Sequence, residues 1–287
     1  MRGKAKATLE IEDAIFGIVE ERKPITVRGV CYALFVRGLI PSMEVLQTGR
    51  ISRVMTAMRE DEVLDWTHIV DGSRMVERAR TWDDPSQIIK AAVRSYRRDN
   101  WQDQPVLVEV WSEKSTVQGV LAPVLDEWGV TFRVMKGFGS FTAVMQAATD
   151  STEADQDTVA LYIGDWDPSG LYMSEVDLPT RLKRYGGVQQ LERIALTAAD
   201  TAELPHFDVA TKAGDARHRW FVERYGRRCW ELDAMNPNDL RDRVRDEIES
   251  YIDHDRWDHA KQIEAAEVES MNDFHKAWQE RLAGGGR

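Results

Sequence analysis

Three acidic residues stand out because each follows an apolar run of strand length. Glu113 comes just after VLVEVW (Val106 to Trp111), in the string WSEKSTVQG, and Asp165 and Asp167 follow VALYIG (Val159 to Gly164), in GDWDPSG. Short β-branched runs of this kind read as buried strands, and each leads into a helical pattern. Strand-helix units build a parallel sheet, whose ligands bind beyond the carboxyl ends of the strands, so the three acids are predicted to converge on one edge. Converging carboxylates repel one another, and a hard divalent cation with oxygen ligands offsets that repulsion. With no His or Cys nearby, the pattern points to Mg²⁺ held by Glu113, Asp165 and Asp167, and to phosphate chemistry. A second reading stays open here: Asp-x-Asp-Pro is also helix-capping chemistry, with Asp at the cap and Pro168 in the first turn.

A tyrosine is the other candidate. A helix is expected to start at the cap Thr26 and run through VRGVCYALFVRG to Gly38. At 100° per residue, Val27, Val30, Cys31, Leu34 and Phe35 share one arc, and Tyr32 falls off it, on the side of Arg28 one turn earlier. An arginine so placed can bind a phosphate or steady a phenolate, either of which suits a tyrosine nucleophile. A half-exposed structural tyrosine accounts for the same spacing.

The surrounding elements must position these groups. A first amphipathic helix is expected over Ala7 to Glu21, stopped by Pro24. A third spans Val45 to Glu60, with Ile51, Val54, Met55 and Met58 inward and Arg50, Arg53 and Arg59 outward. VLDWTHIVDGSRMV alternates and contains Asp71-Gly72, a hairpin signal. Three helices and a hairpin predict a winged helix-turn-helix, which offers a helix to the major groove of double-stranded DNA and basic residues to its phosphates. A helix near Pro85 to Arg98 carries Lys90, Arg94, Arg97 and Arg98, and the domain boundary is drawn near Gln104, giving a winged-helix domain over 1–104 and a sheet domain over 105–287. Within the latter, a strand (Thr131 to Met135) and a glycine turn (Gly137, Gly139) separate the two acidic strings. A helix (Leu171 to Arg184) follows, and ERIALT (Glu192 to Thr197) and WELDAM (Trp230 to Met235) are expected to extend the sheet. The basic, aromatic stretch from Lys212 to Arg228 is a further candidate for DNA contact. From Asn238 two long charged helices run to about Leu282, with Leu240, Val244, Ile248 and Ile252 on one face, and Gly284 to Arg287 are expected to be disordered. The fold class read this way is α/β.

Composition sets the outer bounds. The 287 residues, 43% hydrophobic and 30% charged, suffice for two domains with a sizeable core. Cys31 and Cys229 are too few for a disulfide framework or a zinc cluster and read as reduced and structural. The six His show no ligand spacing, His254 and His259 lying on a charged helix. No apolar run reaches bilayer length and the N-terminus lacks the core of a signal peptide, so a cytoplasmic protein that does not enter membranes is expected. The net charge of −11 argues against a uniformly basic nucleic-acid binder. The acid is uneven, however: residues 1–110 carry 17 basic and 17 acidic side chains, and the rest 21 against 32. A bound metal ion would offset part of that excess when DNA binds.

The two sets of residues carry a resemblance. Glu113-Lys114 after one strand and Asp165-Trp-Asp167-Pro-Ser-Gly after another resemble the Toprim domain of topoisomerases, primases and related nucleases, which places its Mg²⁺ on one Glu and an Asp-x-Asp pair. TVRGVCYALFVRGLI resembles the catalytic winged-helix segment of the topoisomerase VI A subunit and the meiotic double-strand-break transesterase, whose pattern is Arg-x-x-Tyr-Tyr with the second tyrosine attacking DNA. Arg28 and Tyr32 match its ends, and Cys31 replaces the tyrosine that does not attack. A winged helix followed by Toprim is that family's order, so the likeness covers roughly residues 10 to 250 and is nearest the compact Mini-A proteins of phages and mobile elements. The resemblance implies a homodimer that cuts both DNA strands, with Tyr32 joined to the 5′ end, Arg28 and Glu113 assisting catalysis, and the tyrosine of one subunit working with the metal site of the other. No Gly-rich phosphate loop is present, so ATP-driven strand passage would require a separate ATPase B-type subunit. A Toprim nuclease using metal-activated water, with Tyr32 structural, and a non-catalytic DNA-binding protein are the alternatives.

Overall fold

In the computed structural model, which describes residues 6–70, 81–135 and 141–284, the N-terminal apolar stripes meet in one core. It is built by α1 (Lys6–Arg22), the short strand β1 (Ile25–Thr26), α2 (Val27–Val36) and α3 (Val45–Glu60). Ile15, Ile18, Val30, Cys31, Leu34, Ile51 and Met55 are buried there, with Val27, Phe35 and Val54 packed against them. Fully burying one Leu or Ile contributes about 1.5–3 kcal/mol, so this shared core, more than helix propensity, holds the helices. The α2 helix begins at Val27 because the Thr26 hydroxyl accepts from Gly29 N at 2.9 Å, satisfying a donor the helix leaves open. A strand β2 (Ile69–Val70) pairs in parallel with β1, Ile25 facing Ile69 and Thr26 facing Val70. Trp66–His68, inside the segment expected to alternate as a strand, is a 3-10 turn. The Asp71-Gly72 turn lies outside the described residues, as does the Gly137/Gly139 turn.

The class is α/β, as expected. Strands β3 (Val106–Ser112), β4 (Thr131–Val134), β5 (Asp157–Ile163) and β6 (Gln190–Ala195) form a parallel sheet in the order β4-β3-β5-β6. Helix α5 (Ser115–Trp128) connects β3 to β4, and α6 (Phe141–Glu153) precedes β5. After β5 come α7 (Pro168–Tyr172), a π-helical turn (Met173–Asp177) and α8 (Leu178–Arg184), which return the chain to β6. The chain therefore leaves central β3 towards one edge of the sheet and central β5 towards the other. Such a reversal opens a crevice at the carboxyl ends of the two middle strands, the position of the predicted acids.

The expected extension of the sheet is corrected. Trp230 to Met235 does not extend this sheet. β7 (Phe207–Asp208) and β8 (Arg228–Cys229) form a separate antiparallel ribbon flanking α9 (His218–Tyr225). Trp230 then makes a lone antiparallel bridge to Trp166, and Leu232–Ala234 turns as a 3-10 helix. The cause is polar: the side chains of this segment are drawn to distant partners described below. Helix α10 (Pro237–Ser250) buries Leu240, Val244 and Ile248 along the stripe read from the sequence.

By contact the chain forms two units. One takes Met1–Arg74 with Val108–Ser250 and so joins the N-terminal helices to the sheet; the other takes Met75–Leu107 with Tyr251–Arg287, a grouping that crosses the sequence division at residue 104. The second unit packs α4 (Pro85–Ser95) against α11 (His254–Gly284). The Tyr96 hydroxyl donates to Glu267 at 2.6 Å, and Trp101 meets Trp257 edge to face with ring centroids 5.5 Å apart. Arg98, expected on a basic stripe, is paired with Glu267 at 2.9 Å. Among the described residues no helix is long and apolar enough to cross a membrane.

Candidate active site at the switch point

Glu113 is the first residue beyond β3 and Asp165 the second beyond β5, the two neighbouring central strands. Asp167 caps α7, its Oδ1 accepting from Gly170 N at 2.7 Å, so the capping role open in the sequence is filled within the acidic cluster. Two residues hold the loop in this tight shape. A Cβ on Gly170 would lie 2.4 Å from the Asp165 carbonyl oxygen, so only glycine lets the helix start this close to the strand end. From β6, the Arg193 guanidinium donates to the carbonyls of Gly164 (3.0 Å), Gly170 (2.9 Å) and Leu196 (2.9 Å) and to Ser174 Oγ (3.0 Å). These bonds offset the cost of burying its charge.

The acids feel one another. Burial, then the charges of Asp165 and Asp167, push the Glu113 carboxyl up to about 7. Asp165, 6% exposed, is also raised, by burial first and with Asp167 adding to it. Its Oδ1 is held by Leu232 N at 2.7 Å and by Lys114 Nζ at 2.8 Å. Lys114 also reaches Asp233 Oδ2 at 3.0 Å, and although burial opposes its charge, Asp165 and Asp233 hold the ammonium protonated. Lys212 does the same for Asp167, Nζ to Oδ2 at 3.2 Å.

Residues 230–233 strap α2 to this edge. Trp166 and Trp230 exchange backbone hydrogen bonds of 2.9 and 3.0 Å, Glu231 is paired with Arg28, and Asp233 Oδ1 accepts from the Thr26 hydroxyl at 2.8 Å. A cleft of about 800 Å³ lies between the wall made by Thr26, Arg28, Ser52, Thr56 and Arg59 and the edge carrying Glu113, Lys114, Asp165, Glu231 and Asp233.

Tyr32 lies off the α1–α3 core, on the side the helical arc gives it. It is not half-exposed, however: it is 6% exposed, because α2 packs on the Leu232–Ala234 turn. The Arg28 guanidinium stands 5.7 Å from the Tyr32 ring centroid. Burial and then Glu231 push the phenol well above the ordinary tyrosine range. Arg28, Tyr32, His206, Lys212 and Glu231 share a second hollow of about 510 Å³. Cys31 and Cys229 are buried free thiols.

All five candidates thus fall in one unit, Glu113, Asp165 and Asp167 as one cluster and Arg28 with Tyr32 on the helix facing it. Sequence reasoning missed the counter-charges Lys114, Glu231 and Asp233 and the clamp Arg193. In the sequence, Lys114 stands beside Glu113 with nothing to show what it pairs with, and the alternation of Glu231 and Asp233 around Leu232 is equally the pattern of a strand. Hard oxygen donors around buried negative charge fit a cation of the Mg²⁺ type in chemistry. In geometry the cluster is paired with ammonium groups, and among the described residues no three Asp, Glu, His or Cys side chains close into a ligating group. Comparison of the chain with family models, curated proteins and solved structures finds no match.

Proposed function

We propose that this chain is a Mg²⁺-dependent DNA-cleaving transesterase of the topoisomerase VI A-subunit kind, built from a winged helix and a Toprim-type sheet. The observation that supports this reading is that one unit carries both sets of residues, Arg28 with Tyr32 on α2 and Glu113, Asp165 and Asp167 at the sheet edge, so that a homodimer could set the tyrosine of each subunit against the acids of the other. In this reading exposed Arg50 and Arg53 on α3 follow the phosphates of double-stranded DNA. Arg28 orients the scissile phosphate, and Tyr32 attacks it, leaving a 5′-phosphotyrosyl link. Glu113, Asp165 and Asp167 would hold Mg²⁺, which when bound supplies positive charge to a phosphate oxygen. Lys114 keeps Asp165 oriented and Lys212 keeps Asp167 oriented. A homodimer would cut both strands in the cytoplasm, and a separate ATPase B-type subunit would drive any strand passage.

The test is incubation with supercoiled DNA and Mg²⁺, followed by denaturation with and without protease. The reading expects linear or nicked DNA that migrates freely only after protease. Its rival is a metal-dependent nuclease in which Tyr32 is structural, favoured by the 6% exposure of that side chain. That enzyme would release free 5′ ends whether or not protease is added.

A further inference from the structure

Beyond pairing with Arg28 in the strap, Glu231 has no task in the chemical step. Its side chain is 14% exposed, and it is paired with both Nε and Nη2 of Arg28. Fixing α2 does not require it, since Asp233 already holds the α2 cap through Thr26. Glu231 instead lines the same hollow as Tyr32, and Arg28, which it grips, stands 5.7 Å from the Tyr32 ring centroid. A buried phenol is a poor nucleophile, and its proton has to leave as the new bond forms. Arg28 is a donor only and cannot take that proton. A carboxylate can.

Resting on the transesterase reading, we infer that Glu231 is the catalytic base for Tyr32, and that taking the proton releases Arg28 to the phosphodiester. In the step, the Tyr32 Oη–H bond breaks and the proton goes to a Glu231 carboxylate oxygen. Oη forms a bond to phosphorus, and the bond from phosphorus to the 3′-oxygen breaks. That oxygen leaves with its electron pair and is protonated by water. While ionised, Glu231 neutralises Arg28. Once protonated it no longer does, so the guanidinium charge turns to the phosphate oxygens as negative charge builds on them. The pair thereby times the charge of Arg28 to the chemical step.

The experiment measures covalent protein-DNA adduct formation at saturating duplex DNA with Mg²⁺, for the full chain and Glu231→Gln, each with either tyrosine or 3,5-difluorotyrosine at position 32. Glu231→Gln should slow adduct formation by about 10²–10⁴-fold with DNA affinity no weaker, since the freed Arg28 still faces the phosphate. The fluorinated phenol gives up its proton more readily, so it should recover roughly tenfold or more in the Gln background and change the parent little. Adduct formation by Glu231→Gln at the parent rate, or an equal loss with both phenols, would overturn the inference. Glu231→Asp keeps the acid but withdraws it by one methylene. It should lose less than Gln, and it carries the same comparison if the Gln variant does not fold. Cleavage that persists in Tyr32→Phe would instead remove the transesterase reading itself, whatever Glu231 does.

Discussion

Replacing Glu113 by glutamine should stabilise the protein at neutral pH and leave it nearly unchanged in acid. The substitution keeps the shape of the side chain and removes its charge. In the folded chain burial and the neighbouring Asp165 and Asp167 hold the Glu113 carboxyl at about 7, against an ordinary value of 4.5. A folded-state value raised in this way means that the native state binds the proton more tightly than the unfolded chain does. The contribution to stability is therefore full below about pH 4.5 and is lost as the pH rises through about 7. At about 1.4 kcal/mol per pH unit, the penalty at pH 8 is roughly 3 kcal/mol, a large share of a typical folding free energy of about 5–15 kcal/mol. Urea unfolding of both proteins in EDTA, from pH 4.5 to 8.5, reads this directly. The variant should be more stable by up to roughly 3 kcal/mol at pH 8, and the gap should shrink to zero near pH 4.5. Excess Mg²⁺ should narrow the gap at pH 8, because only the parent keeps the full set of carboxylates to bind it. A gap that does not vary with pH, or a variant less stable at pH 8, would refute the reasoning about this cluster.

Asp165→Asn should gain less than Glu113→Gln at neutral pH in the same unfolding assay, since it removes a carboxylate that burial disfavours but also strips Lys114 of one of two buried partners. Gly170→Ala puts a methyl 2.4 Å from the Asp165 carbonyl oxygen; about 1–3 kcal/mol should be lost, together with DNA cleavage, as measured by calorimetry and plasmid nicking. Arg193→Met leaves several buried carbonyls without a donor, so circular dichroism melting should register roughly 3–5 kcal/mol of destabilisation. Losing Arg50 and Arg53 together should weaken duplex binding similarly for all sequences and reduce the slope of log affinity against log salt by about 2, which fluorescence anisotropy measures; an unchanged slope would remove α3 from the interface.

Much of the fold was legible because local periodicity decided it. The 45–60 helix follows its apolar spacing residue for residue, and Thr26 caps α2 as its side chain allows. The β-branched runs before Glu113 and Asp165 are the adjacent central strands, so the convergence of the acids followed from strand-helix alternation alone. What escaped the sequence depends on partners far along the chain. Glu231 pairs with Arg28 across 203 positions and Asp233 with Lys114 across 119. Those ion pairs turn an alternating segment that reads as a strand into a bridge and a 3-10 turn. Tyr32 lies off the apolar arc, as the helical spacing has it, but it is buried on a helix that packs on that same distant turn, which no spacing within α2 reveals. The pairing of β1 with β2 is of the same kind, since neither two-residue strand has a periodicity of its own.

In the proposed mechanism the Tyr32 hydroxyl becomes bonded to DNA. The most direct measurement is to trap the protein on labelled duplex DNA with Mg²⁺, digest both components and locate the modified residue by mass spectrometry, with Tyr32→Phe alongside. A nucleotide phosphate should be attached to the peptide containing Tyr32, with neither attachment nor cutting in the Phe variant, whose ring keeps the buried place of the tyrosine. Cleaved DNA with free 5′ phosphates and an unmodified Tyr32, or full cutting by Tyr32→Phe, would contradict that mechanism.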